Sequence, residues 1–139
     1  MRPDERPLQG LAGLADWRLL GRLNRLLREG LFEGRVREAL LTVGAPRLPA
    51  QRVFLYGLGD KALEDALAPA LAMVGRAGGL EVACAPFGDT EHLVERAERV
   101  ASAARDAGIE RLVCLADRVE AAHKALVVVE AHHPWAVLD

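Results

Sequence analysis

The stretch Gly57-Leu58-Gly59-Asp60 follows an apolar run, Arg52 to Tyr56, and precedes a helical pattern. Glycines placed between a strand and a helix let backbone N–H groups approach a phosphate, and the helix N-terminus adds a favourable dipole. With Gly88, in the loop after a second apolar run, Gly57, Gly59 and Asp60 form the candidate ligand loop. They lie at strand ends, where α/β sheets bind nucleotides. Two features weigh the other way. The stretch lacks the third glycine of a dinucleotide fingerprint and the Gly-Lys-Ser/Thr of a P-loop, and Asp60 sets a carboxylate where the phosphate would lie. A structural turn, with Asp60 capping the helix behind it, is the favoured reading.

The other reactive side chains are weaker candidates. A metal centre needs three or four converging ligands. His92 stands early in a predicted helix and His123 beside a predicted strand, while the rings of the adjacent pair His132 and His133 point apart. Ser102, the only serine, falls mid-helix, where its hydroxyl can bond a preceding carbonyl and nothing marks a nucleophile elbow. Cys84 and Cys114 each sit in an apolar run, are expected to be buried and reduced, and have no evident base. Glu95 and Glu98 lie one turn apart on a solvated helix face, the ordinary surface arrangement. No catalytic, cofactor-binding or metal-ligating residue is therefore assigned.

Composition narrows the function classes further. At 139 residues the chain fits one domain, 1–139, able to hide roughly 70% of the surface its unfolded form exposes. The apolar fraction is 51% but aromatic residues are only 4%, so stacking platforms for bases are scarce. Lys and Arg number 18 against 20 Asp and Glu, a formal charge of -2, and no basic field points to nucleic acid. The opening MRPDERPLQG is unlike a signal peptide, and no apolar run reaches the length of a membrane span. Cytoplasm is the expected compartment, with neither nucleic acid nor membrane as partner.

The elements that must position these groups follow from periodicity. Leu11, Leu14, Trp17, Leu20, Leu23 and Leu27 recur at threes and fours, the buried stripe of one amphipathic helix, with Arg18, Arg22, Arg25 and Arg28 on a solvated face and Gly30 as the stop. Glu38–Val43 and Arg52–Tyr56 read as strands. Leu63, Ala66, Leu67, Ala70, Leu71 and Val74 make a helical stripe, at which Pro69 predicts either a kink or a start near Pro69. Leu80–Ala85 is a third strand, closed by Pro86 and Gly88. Asp89 or Thr90 is expected to cap the strongest helix, carried by Leu93, Ala97, Val100 and Ala104 up to Gly108. Arg111–Ala116 is a fourth strand. Asp117–Lys124 reads as two helical turns and Ala125–Ala131 as a fifth strand, with a single helix through Glu130 as the alternative. Two helices between near-continuous apolar strands predict a three-layer α/β/α domain with a mainly parallel sheet.

The order of these pieces resembles a known family. The run DERPLQGLAGLADWRLLGRLNRLLREGLFEG, a short apolar strand, and then LPAQRVFLYGLGD are similar to the N-terminal domain of the cytosol (leucyl) aminopeptidases. The motif match covers Asp4 to Asp60, and the remainder follows by pattern. The resemblance implies a macro-like fold beside a separate catalytic domain that carries the metal ligands. The Asn-Thr-Asp-Ala-Glu-Gly-Arg type of catalytic segment does not occur here, so no peptidase site residue carries over and the chain is expected not to be an enzyme. The apolar strand that usually opens such domains also has no counterpart, and an unpaired sheet edge favours self-association. The expected role is a stand-alone, cofactor-free domain acting in protein association or regulation, as a homo-oligomer or with a full-length aminopeptidase. A macro-like module binding ADP-ribose or a related nucleotide is the alternative.

Overall fold

The computed structural model describes residues 8–85 and 92–114. The chain divides into two compact units, Met1–Ala62 and Leu63–Asp139. Helices and strands are mixed in both, giving the expected α/β character.

In the first unit the predicted long helix is broken in two: α1 spans Gly10–Arg18 and α2 spans Arg22–Arg28. The break is made by two consecutive left-handed residues, Leu20 (φ 55°) and Gly21 (φ 76°). Leu20 N–H bonds the Trp17 carbonyl at 3.2 Å and Gly21 N–H bonds that of Asp16 at 2.9 Å, the paired bonds that close a helix C-terminus. This break corrects the buried stripe. Leu11, Leu14, Trp17 and Leu20 face outward, whereas Ala12, Ala15 and Leu19 turn inward to join Leu23 and Leu27. Phe32, fully enclosed, completes the cluster with Leu8 and Leu55. Arg18, Arg22, Arg25 and Arg28 are exposed as expected, and Gly30 (φ 69°) ends α2.

Strands β1 (Ala39–Val43) and β2 (Arg52–Tyr56) pair antiparallel, with Leu41 opposite Phe54. Leu40, Val53 and Leu55 share the face that packs on the cluster. Leu41 and Val43, on the other face, are more than half exposed. The Arg22 guanidinium donates to the Val43 carbonyl at 3.0 Å, tying α2 to the ribbon's end.

The second unit carries α3 (Leu63–Arg76), β3 (Glu81–Cys84), α4 (Leu93–Asp106) and β4 (Arg111–Cys114). Helix α3 runs through Pro69 and begins six residues before it, rather than near it. Ala66, Leu67, Leu71 and Val74 are its buried positions. In α4 the buried positions include Ala97, Val100, Ala101 and Ala104. His92 (φ 57°) stands at the N-cap of α4 without a side-chain cap bond; the expected caps Asp89 and Thr90 lie outside the described residues. Gly78 (φ 74°) and Gly108 (φ 71°) end α3 and α4. The two helices approach closely at Gly75, where a Cβ would stand 2.1 Å from the Ala107 carbonyl oxygen.

Strands β3 and β4 pair in parallel across α4, whereas the β1–β2 ribbon is antiparallel, so the described strands form two short pairs of mixed orientation where a mainly parallel sheet was expected. The ribbon runs antiparallel because its eight-residue link, Gly44–Gln51, carries no crossover helix. Gly88, Asp117–Lys124 and the expected fifth strand lie outside the described residues.

Candidate functional site

The Gly57–Asp60 segment is best understood from the loop it faces. That loop, Glu33 to Arg37, leaves the buried Phe32 and is gathered around one carboxylate, Glu38. Glu33 N–H donates to both Glu38 carboxylate oxygens at 3.0 Å, and Arg35 N–H donates to Oε2 at 2.9 Å. Burial is the largest single influence on Glu38 and raises its carboxyl, but backbone N–H groups of Glu33, Arg35 and Gly34 and the Arg35 charge together outweigh it and hold the carboxyl below the usual range. Arg35 also pairs with Glu33.

The loop then closes over the two glycines. Gly57 N–H donates to the Glu38 carbonyl at 2.7 Å, Arg37 N–H donates to the Gly57 carbonyl at 3.2 Å, and Gly59 N–H donates to the Gly34 carbonyl at 2.9 Å. A Cβ on Gly57 would stand 1.9 Å from the Arg35 carbonyl oxygen; one on Gly59 would stand 2.5 Å from a Val36 methyl, at a φ of +55°. The glycines are there because another stretch of backbone lies against them. Their amides serve that stretch, so the donors that a phosphate cradle needs are already engaged.

Asp60 lies in the exposed turn after Gly59. It does not cap α3, because that helix begins at Leu63 and the capping position falls on Ala62. Gly57, Gly59 and Asp60 are thus brought together in one turn, while Gly88 is outside the described residues.

A second polar centre, unread in the sequence, sits under α1. Asp16 is 6% exposed, the buried charged residue among the described ones. Its Oδ1 accepts the N–H groups of Leu23 at 2.8 Å and Asn24 at 3.1 Å, and its Oδ2 accepts the Asn24 side-chain amide. The carboxylate caps α2 from the preceding helix, taking the place of a side chain that Gly21 does not have. The signal was available: an acid on the inward side of α1, a Gly-initiated helix, and an Asn at its third position.

In the second unit a shallow cavity of about 220 Å³ lies between α3 and α4, lined by Glu64, Leu67, Ala68, Arg99, Ser102, Ala103 and Asp106. Glu64 is engaged with Arg96 across the two helices. Ser102 has no histidine on that lining, so no nucleophile–base pair forms there. His92 faces Glu95 at 3.6 Å on the exposed surface. Among the described residues no group of three or more His, Cys, Asp or Glu could hold a metal ion, and no helix is long and apolar enough to cross a membrane. Cys84 and Cys114 are free and half-buried, less enclosed than the apolar runs around them implied.

The profile of the cytosol aminopeptidase family N-terminal domain matches residues 4–133. The chain belongs to that family. Among curated proteins, none matches. In this aminopeptidase N-terminal domain the Gly-Leu-Gly turn, which also carried the resemblance, acts as the seat of the Glu33–Arg37 loop.

Proposed function

We propose that this aminopeptidase N-terminal domain works as a non-catalytic, cytoplasmic association module, a macro-like three-layer domain that binds a second copy of itself or a full-length aminopeptidase. The observation that supports this reading is the outward row on α1 and its closing turn, with Leu14 67%, Trp17 71% and Leu20 64% exposed. Large apolar side chains grouped on one face mark an interaction surface, and Trp and Arg are the favoured anchors of such surfaces. Arg18 lies over the Trp17 ring at 5.3 Å.

Size-exclusion chromatography with light scattering tests the proposal. An oligomer is expected from the wild-type chain, with dissociation by Leu14→Glu combined with Trp17→Glu at unchanged circular dichroism. A wild-type protein that stays monomeric at high concentration, alone and with a full-length aminopeptidase, overturns the reading.

A further inference from the structure

The two cysteines of the second unit form a pair that neither the family nor the association reading uses. Cys84 and Cys114 are the last residues of β3 and β4 and stand directly opposite each other in the parallel register. Alternation along each strand puts them on the face of Val82 and Leu112, which packs against Leu71, Ala103, Ala104 and Ile109. Both thiols are free and half-buried. The carboxyl ends of adjacent parallel strands are also where α/β sheets present groups to a ligand.

Spacing chooses among the chemistries open to two thiols. Neighbouring strands lie about 4.7–4.9 Å apart, and side chains of an in-register pair leave the sheet side by side. A relaxed disulfide needs Cβ atoms about 3.5–4.5 Å apart, so closing one here strains the ladder. Taking the zinc–thiolate bond of about 2.3 Å as a yardstick, two sulfurs on opposite sides of a metal ion stand roughly 4.6 Å apart, close to the strand spacing. With no third donor converging among the described residues, a four-coordinate zinc site is not met. Thiolates select soft ions such as Cu(I).

We propose that Cys84 and Cys114 form a two-coordinate thiolate site for a soft monovalent cation of the Cu(I) type. Binding makes two sulfur–metal bonds, breaks two S–H bonds and releases two protons to solvent, with no change in oxidation state. The acidities fit this exchange. The hydrogen bond between the thiols, together with burial, pushes Cys84 above the ordinary thiol range, and accepting that bond holds Cys114 below it.

The experiment is an anaerobic titration of the full chain against the Cu(I)–bicinchoninate complex. The wild type is expected to withdraw one equivalent of Cu(I), with an X-ray absorption edge typical of two-coordinate sulfur. Cys84→Ala and Cys114→Ala should each weaken binding about tenfold or more, and Cys84→Ser serves if an alanine variant fails to fold. Three results overturn the proposal: copper left on the chelator by the wild type, equal withdrawal by a folded variant lacking both cysteines, or closure of the pair to a disulfide on equilibration with oxidised glutathione.

Discussion

Asp16→Ala is the substitution whose effect can be worked most completely from the structure. The change removes the acceptor of a buried bond from Leu23 N–H, a part-buried bond from Asn24 N–H, and the contact with the Asn24 side-chain amide. Leaving a buried N–H without a partner costs about 1–3 kcal/mol. Losing a helix cap and the carboxylate's favourable place at the α2 N-terminus costs about 1 kcal/mol more. The expected loss is about 3 kcal/mol, a large fraction of the roughly 5–15 kcal/mol that holds a domain folded. Urea unfolding followed by circular dichroism measures it. With a slope of about 2 kcal/mol/M, the midpoint should fall by about 1.5 M. Asp16→Asn keeps one oxygen for the backbone donors but loses the charge, and should fall between wild type and alanine at about 1–2 kcal/mol. An alanine variant within about 0.5 kcal/mol of wild type, the range of an ordinary surface change, refutes the claim that Asp16 organises α2.

Leu20→Gly should stabilise the fold by about 0.5–1 kcal/mol, since it relieves a left-handed penalty of about 1–2 kcal/mol against glycine's greater freedom when unfolded; thermal melts at low concentration, where association does not contribute, check this. The Glu38 carboxyl is held below its ordinary range in the folded chain, so its contribution is present above the unfolded carboxyl's pKa and fades as pH falls through the lower folded value. Glu38→Gln should therefore reduce stability near neutrality and flatten the acid limb of a stability-against-pH curve, and an unchanged acid limb counts against the Glu38-centred loop. Because the Gly57 and Gly59 amides are bonded to Glu38 and Gly34 carbonyls, millimolar ADP-ribose should leave the melting temperature unmoved, and a saturable rise would return that turn to the list of ligand sites.

Much of this architecture was legible because short-range physics writes it plainly. The α4 stripe of Ala97, Val100 and Ala104 was found where expected, as were the strand cores and the glycines that end α2, α3 and α4. The α1–α2 segment misled because Leu20 adopts a backbone conformation its residue type disfavours. Periodicity assumes an unbroken helix, and one left-handed turn resets the phase, so Trp17 points out where continuity would bury it. Of the two outcomes expected at Pro69, a start near it is overturned, since packing of Leu67, Leu71 and Val74 carries α3 through the missing donor. The turn at Gly57 and Gly59 was identified as structural, but what it seats was not, because the Glu33–Arg37 loop meets it only in three dimensions. Asp16 and the Cys84–Cys114 register share that difficulty: each depends on a neighbour distant in the chain.

The interruption at Leu20–Gly21 has a consequence for how this protein can change. By rotating Leu14 and Trp17 away from the interior, it separates the side chains that stabilise from those available for contact. Replacing the outward set leaves Leu19, Leu23, Leu27 and Phe32 in place, so a lineage can rewrite that exposed row while the scaffold stays intact.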